Sequence, residues 1–149
     1  SMLTICAWIK PSAVQGVSDS IIACGGQGTY TTNNYWFAIN NTNNRLIFFP
    51  RTPEAQIFSN NNGFALDMWV FASAVIDAVG VTFYSNAQKW GSSACAIGTD
   101  NTTGLRIGRR VDAATNHLKA IVPEVFLCNY ALTPQEIQNY YLATRWRYQ

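Results

Sequence analysis

Charged residues are scarce in this sequence of 149 residues, since Asp, Glu, Lys and Arg together make up 12% of it. Soluble domains usually contain about 25%. The formal net charge of +2 is too small to indicate a nucleic-acid partner or an acidic membrane surface by itself. No apolar run approaches the ~20 residues that a membrane-spanning helix requires. We therefore expect no nucleic-acid binding and no membrane insertion.

Side chains for catalysis are equally sparse. The chain has one histidine, His117, in a loop-like segment, and it has no G-x-S-x-G motif. Glycoside hydrolysis requires two carboxylates that flank the scissile bond. The 8 acidic residues all lie too far apart in sequence to share one face of a strand, although two of them could still meet across strands. We therefore expect a protein that is not an enzyme. A hydrolase is kept as a third hypothesis, ranked below the two binding functions given at the end of this subsection.

The 4 cysteines are widely spaced and include no C-x-x-C pair, which argues against zinc or redox chemistry. They allow three disulfide pairings, and the sequence does not choose among them. We favour buried, reduced thiols, because Cys6 and Cys128 both lie inside strand-like runs. No signal peptide is present, and Ser1-Met2 is interpreted as a cloning remnant.

Short apolar segments alternate with Asn-rich and Gly-rich turns along most of the chain. Their length and their content of β-branched and aromatic residues predict β-strands. The expected hairpins pair residues 35–39 with 45–49 and residues 69–76 with 81–85. Together with one helix, these strands predict an all-β sandwich, and residues 1–149 are expected to form a single domain.

The segment from Ile121 to Tyr141 predicts a strand that leads directly into a helix. Its first half is apolar and β-branched, which is typical of a buried strand. Its second half contains Thr133-Pro134-Gln135-Glu136, the pattern of a capping box with proline at the first helical position. We expect a short helix over about residues 134–143.

Four sequence blocks, taken in order, carry a family resemblance. They are L-T-I-C-A-W-I-K-P at 3–11, the hairpin at 69–86, L-R-I-G-R at 105–109 and E-V-F-L-C-N-Y-A-L-T-P-Q-E-I at 124–137. Together they resemble laminin-G-like domains of the concanavalin A-like lectin/glucanase type. The resemblance implies a jelly-roll sandwich of two antiparallel sheets with one short C-terminal helix.

The chain differs from this family pattern in its turns and edges. Asp77-Ala78 and Asn86-Ala87 stand where relatives have Asp-Gly and Asn-Gly, so these connections are expected to be longer or differently shaped. The first strand is expected to stop at Pro11. Pro123 is expected at an edge, at a strand start or in a bulge, because proline cannot donate to a strand ladder.

The usual N-terminal strand of the family has no counterpart here, which predicts an unpaired sheet edge. Two outcomes stay open at this point. Either Arg145–Gln149 folds back to cover that edge, or the edge joins two protomers as a homodimer.

Aromatic residues beside amide-rich loops are the candidate ligand-binding residues. A ring can cover the apolar C–H face of a sugar while neighbouring amides satisfy its hydroxyls. By contrast, Trp8 and Trp69 match core positions of the family and are assigned to packing. The predicted site residues are Tyr30, Tyr35, Trp36, Trp90 and Asn101.

We therefore expect a non-catalytic binding module that binds a glycan. The alternative is a structural or adhesive protein–protein domain of a larger surface or virion assembly, which self-associates through a sheet edge. The resemblance implies calcium as a frequent cation of the family, with Asp100 and Asp112 as the candidate ligands and no other cofactor. The resemblance and the amide-rich composition imply an extracellular location or a cell or virion surface.

Overall fold

The computed structural model describes residues 2–13, 19–25, 33–40, 43–50, 56–96, 104–109 and 117–148. These residues form ten strands, one α-helix and a terminal 3-10 turn. The elements are β1 (Leu3–Ala13), β2 (Asp19–Gly25), β3 (Asn33–Asn40), β4 (Arg45–Pro50), β5 (Ile57–Phe58), β6 (Val70–Ile76), β7 (Gly80–Ser85), β8 (Gln88–Ala94), β9 (Leu105–Ile107), β10 (Lys119–Cys128), α1 (Pro134–Thr144) and the 3-10 turn (Arg145–Arg147).

The strands form two antiparallel sheets. Sheet I has the order β10-β1-β6-β7-β8, and sheet II has the order β5-β4-β3-β2-β9. In sheet I the first strand of the chain, β1, pairs with the last strand, β10. The predicted all-β jelly-roll sandwich of two antiparallel sheets with one short C-terminal helix is confirmed, and so are both predicted hairpins.

The main core lies between the two sheets and follows the two-residue period of the strands. In β1, Leu3, Ile5, Ala7 and Ile9 point into this core, whereas Cys6 and Trp8 point to the outer face of sheet I. Sheet II contributes large apolar side chains such as Phe37 and Phe48. Both faces of sheet I are therefore apolar, and the outer face needs a second cover.

Helix α1 provides that cover. It begins as the sequence predicts: the Thr133 hydroxyl accepts the Glu136 N–H at 3.3 Å, and the Thr133 N–H donates to the Glu136 carboxylate at 2.8 Å. The Glu136 carboxylate also accepts the Thr133 hydroxyl at 2.8 Å, and the bonds that it accepts from the Thr133 N–H and hydroxyl lower the pKa of Glu136. Ile137 then packs into the outer-face cluster beside Trp8 and Phe71. The predicted capping box and helix are confirmed.

The prediction that the first strand stops at Pro11 is wrong, since β1 continues to Ala13. Strand β1 pairs with β6 only as far as Ile9. Within the described residues, Pro11 therefore does not have to donate a backbone hydrogen bond to β6, which it could not do because it lacks an N–H. Pro123 lies in β10, an edge strand of sheet I, where the register with β1 shifts. An edge and a bulge are both among the expected places for it.

The two Ala-containing turns behave differently. Asn86 and Ala87 both have positive φ, 50° and 63°, and they form a tight two-residue turn between paired Ser85 and Gln88. The expectation that alanine would prevent such a turn is wrong. The Asn86 N–H donates to the carbonyl oxygen of Phe71 in β6, and the Asn86 side-chain oxygen accepts the Phe71 N–H, which holds the turn in place. The turn after Asp77 is differently shaped, as expected, because its carboxylate caps two backbone N–H groups.

The chain after α1 folds onto a face and not onto an edge. Residues 145–147 form the 3-10 turn, and Tyr148 packs on Trp8 and Trp69 on the outer face of sheet I. Among the described residues no strand pairs with the outer side of β10. Residues 145–148 therefore do not cover the edge of β10 with a strand. Contact between two protomers through this edge stays a prediction. The described helices are all too short and polar to cross a membrane.

Three cysteines are free thiols, as favoured from the sequence. Cys6 is buried, and Cys95 and Cys128 are half-buried. Burial raises the pKa of the Cys6 thiol to about 12 and that of Cys95 to about 11. These thiols are therefore protonated at neutral pH and act as small apolar side chains. The side chain of Cys24 lies outside the described part of the chain.

Candidate functional site

Two of the predicted ligand-binding residues are neighbours in β3 and lie on opposite faces of sheet II. The Tyr35 ring packs against the inter-sheet core, stacked on Phe48 with centroids 6.5 Å apart. The Trp36 ring lies on the outer face, stacked on Phe49 at 4.1 Å, and is 7% exposed. The structure does not bring these two rings into one concavity, and ligand binding by either stays a prediction.

Trp90 lies on β8, half-buried against the inter-sheet core. Its Nε1–H donates to the carbonyl oxygen of Asn61 at 2.9 Å, and its own carbonyl accepts the Asn60 N–H at 2.8 Å. These bonds tie the edge of sheet I to the Asn-rich turn after β5. Trp90 therefore anchors a loop, and its ligand-binding role also stays a prediction.

The remaining predicted residues, Tyr30, Asn101, Asp100 and Asp112, lie outside the described residues. Within the ranges that the structure describes, no three His, Cys, Asp or Glu side chains are grouped so as to hold a metal ion. The candidate calcium ligands thus have no structural account here.

A cavity of about 450 Å³ lies where α1 ends over the outer face of sheet I, and we call it the aromatic pocket. Its volume is within the ~300–1,000 Å³ typical of small-molecule sites. Four aromatic rings and one methionine form most of its apolar wall, while four polar residues complete the lining. The lining residues are Trp8, Lys10, Asp67, Met68, Trp69, Asn86, Tyr141, Arg145 and Tyr148.

The rings of the aromatic pocket hold one another in place. Tyr148 packs on Trp8 at 4.5 Å and on Trp69 at 5.0 Å between ring centroids. Tyr141 stacks on Trp8 at 5.7 Å with an interplanar angle of 21°. Such aromatic pairs contribute about 0.5–1.5 kcal/mol beyond their area burial. The pocket wall is therefore preorganised before any ligand enters.

Hydrogen bonds fix the polar ends of two of these rings. The Trp8 Nε1–H donates to the Thr144 hydroxyl at 2.9 Å. The Tyr148 hydroxyl donates to Glu124 at 3.0 Å. Burial, helped by the bond to this carboxylate, raises the pKa of Tyr148. Both rings thus keep a defined orientation, and the phenol stays neutral at physiological pH.

Local periodicity explains which side chains reach the aromatic pocket. Trp8 and Lys10 are two residues apart in β1 and share its outer face. Tyr141 and Arg145 are four residues apart at the end of α1 and share one side of the helix.

A backbone bond positions the loop that carries Asp67, Met68 and Trp69. The Asp67 N–H donates to the carbonyl oxygen of Pro11 at 2.7 Å, which holds the loop before β6 against the end of β1.

A second cavity of about 440 Å³ adjoins the first and shares Met68, Trp69 and Asn86 with it. We call it the amide pocket, and the two together the binding groove. Its other lining residues are Asn44, Asn62, Gly63, Phe64, Ala65, Val70 and Ser85. Backbone bonds of 2.7 Å from Asn62 to Asn43 and from Gly63 to Asn44 join the two loops that form it. The groove thus places the amides of Asn44, Asn62 and Asn86 and the hydroxyl of Ser85 beside a wall of rings.

Three carboxylates of the described residues are occupied in structural bonds. Glu136 caps α1, and Asp77 caps its own turn. Glu124 accepts from the Tyr140 hydroxyl, from Tyr148 and from Arg147. A carboxylate held in this way is poorly placed to act as a nucleophile or as a general acid. Asp67 is the acid that lines the binding groove.

Sequence reasoning assigned Trp8 and Trp69 to packing and missed the groove that they line. The sequence contained one indication of this groove, because the alternation of β1 places Lys10 beside Trp8 on the outer face. The helical spacing of Tyr141 and Arg145 was a second indication. Nothing local indicated that these two pairs would meet at one cavity.

The family comparison matches residues 1–138 to the model described as the Concanavalin A-like lectin/glucanases superfamily. A comparison with curated protein sequences finds no match.

Solved structures of similar fold include two carbohydrate-related proteins and a pentraxin. Domain 4 of AbnA, a GH43 extracellular arabinanase from Geobacillus stearothermophilus in complex with arabinotriose, has a TM-score of 0.66 at 15% identity, with 93% of this chain and 65% of that chain covered. A putative carbohydrate binding protein from Bacteroides ovatus has a TM-score of 0.70 at 16% identity, with 93% and 40% covered. The native heptameric SAP-like pentraxin from Limulus polyphemus has a TM-score of 0.66 at 15% identity, with 92% and 68% covered.

The chain spans 65% of the first of these structures and 40% of the second. At identities of 15% and 16%, the likeness shows the fold alone.

Proposed function

This chain belongs to the Concanavalin A-like lectin/glucanases superfamily, and from that premise we propose that it is a non-catalytic, glycan-binding module. The proposed site is the binding groove. The observation that carries the proposal is the aromatic pocket, whose preorganised rings adjoin the amide pocket across Trp69.

The chemistry of the groove matches that of a sugar. A pyranose ring has an apolar C–H face, which packs on an indole or phenol ring, and a rim of hydroxyls, which bond to amides and hydroxyls. Trp69 presents its partly exposed ring between the two pockets, and Asn86 lines both. The fixed orientation of the neighbouring rings lowers the entropy lost on binding.

The comparisons support the same ligand class. The arabinanase domain of similar fold was solved in complex with arabinotriose, and a second similar structure is named a putative carbohydrate binding protein. The proposal that the module lacks catalysis rests on its carboxylates, because Glu124, Glu136 and Asp77 are held in structural bonds. We further propose one domain over residues 1–149 and a location outside the cell or on a cell or virion surface.

A glycan array followed by titration of each hit tests the proposal. Trp69→Ala removes the ring shared by both pockets and is expected to weaken binding about tenfold or more, since stacked rings often dominate such sites. Trp146→Ala is the matched control, because Trp146 is 69% exposed and does not line either pocket. Trp36→Ala and Trp90→Ala test the residues predicted from the sequence in the same assay. Binding that Trp69→Ala weakens no more than Trp146→Ala does, or no binding at all, would refute the assignment.

Self-association is the second candidate function, and one observation favours it. Leu105 and Ile107 on β9 and Ile121 on β10 are about half exposed or more, at 46%, 51% and 60%. A bond of 2.8 Å from the Leu118 N–H to the Gly108 carbonyl joins the ends of these two edge strands. Apolar side chains at neighbouring edges favour contact with a second chain. Sedimentation of the wild type and of Ile121→Lys at high concentration tests this candidate, and a monomeric wild type would remove it.

A further inference from the structure

The two ends of the binding groove differ in charge, and this difference limits which kind of sugar each end can bind. The aromatic pocket is lined by two cations, Lys10 and Arg145, and by one acid, Asp67. The amide pocket has no charged side chain among its described lining residues. A ligand that lies along the groove therefore meets a positive end and a neutral end.

Within the part of the chain that the structure describes, neither cation forms an ion pair. Among the described residues, the salt bridge of this region joins Arg147 to Glu124 at 3.2 Å, and it includes neither Lys10 nor Arg145. Asp67 shares the lining but makes no ion pair with them. Two cations and one acid therefore leave the lining of this pocket with one positive charge in excess.

The position of Arg145 suits recognition of an anion. Its guanidinium carbon lies 6.0 Å from the centroid of the Tyr141 ring, at the edge of the aromatic wall. Arg145 is exposed, and a guanidinium can donate two parallel hydrogen bonds to a carboxylate or to a sulfate ester. Lys10 approaches the same cavity from β1 and supplies a second donor. The two cations come from opposite ends of the chain and line the same cavity because the end of α1 packs over Trp8 of β1.

Resting on the proposed function, we propose that the groove binds an anionic oligosaccharide in one orientation. The acidic sugar, which carries a carboxylate or a sulfate ester, occupies the aromatic pocket with its charged group on Arg145 and Lys10. The neighbouring neutral sugar crosses Trp69 into the amide pocket. Two adjoining cavities of about 450 and 440 Å³ provide room for more than one sugar unit.

Isothermal titration with three oligosaccharides of equal length tests this inference: one neutral, one containing a hexuronic acid and one carrying a sulfate ester. Arg145→Gln and Lys10→Gln are each expected to weaken binding of the acidic ligand about tenfold or more, which is typical of losing a charge-assisted hydrogen bond. Both variants are expected to weaken binding of the neutral ligand less than binding of the acidic ligand, so that the ratio of acidic to neutral affinity falls. Lys89→Gln is the matched control, since Lys89 lines a separate cavity beside Asp77, and it should change neither.

The outcomes separate the inference from the function on which it rests. Tighter binding of either acidic ligand that is lost in Arg145→Gln and falls with added salt supports the inference, and the tighter of the two identifies carboxylate or sulfate. Equal binding of neutral and acidic ligands that Trp69→Ala abolishes and the charge variants do not affect overturns the inference and leaves the glycan-binding function standing. No binding of any of the three ligands overturns both.

Discussion

Ile137 is the residue through which α1 is expected to hold to sheet I. Its side chain is 0% exposed and packs among the outer-face cluster that includes Trp8 and Phe71. Ile137→Ala removes buried methyl and methylene groups, and such a change costs about 2–5 kcal/mol. The better helix propensity of alanine offsets less than ~0.7 kcal/mol of this. The burial term therefore decides the sign, and we expect a loss of about 3 kcal/mol.

Urea unfolding followed by tryptophan fluorescence measures the loss, and a thermal melt should shift downward by about 6–12 °C for a domain of this size. Leu142→Ala is the matched control on the same helix, since Leu142 is 46% exposed and should change the free energy of unfolding by less than about 0.5 kcal/mol. Because α1 and the turn after it carry Tyr141, Arg145 and Tyr148 into the aromatic pocket, glycan affinity should fall with Ile137→Ala alone. Equal effects of the two substitutions on stability would show that α1 is not held by this side chain.

Three further predictions concern backbone geometry and buried thiols. Gly80→Ala should destabilise the fold by about 2–3 kcal/mol, because its Cβ would overlap the backbone of β8, whereas Gly104→Ala meets no atom within 4 Å and should be neutral in the same urea assay. Ala87→Val should cost about 1–2 kcal/mol because a β-branched side chain tolerates positive φ poorly, and Ala78→Val, in a turn without positive φ, should be neutral; equal losses would contradict this reasoning. Burial raises the pKa of Cys6 from 9.0 to about 12, so the contribution of this thiol to the free energy of unfolding should be constant below pH 9 and fall as the pH rises toward 12, because the unfolded state loses its thiol proton first. Unfolding curves at pH 8 and 10.5 measure this fall, and an equal fall in Cys6→Ala would assign it to other groups.

Features that depend on neighbouring residues could be predicted from the sequence. The capping box at Thr133 and Glu136 forms within four residues, so its bonds need no help from the rest of the fold. The alternation of β1 likewise places Trp8 outward and Ile9 inward as soon as the segment is extended. The four resembling blocks predicted the order of these elements, and the family comparison supports it over residues 1–138.

The turn at Asn86 and Ala87 shows where local rules fail. Alanine has an intrinsic preference against positive φ of about 1–2 kcal/mol. Asn86, however, bonds to Phe71 through its N–H and its side-chain oxygen, each at 2.9 Å. Contacts with a strand 15 residues away thus hold a conformation that the turn sequence alone disfavours. Sequence reasoning weighed the local cost without this compensation.

The sequence by itself determined the two-residue alternation, the helix cap and the low content of acidic residues, because each depends on residue identity or on contacts a few positions apart. The tertiary structure alone decided the binding groove. Trp8, Trp69 and Tyr148 meet there because β1 pairs beside β6 and because α1 covers the outer face of their sheet. A site assembled from the beginning, middle and end of the chain has no local period, so only the packing of sheet and helix brings its rings and its two cations together.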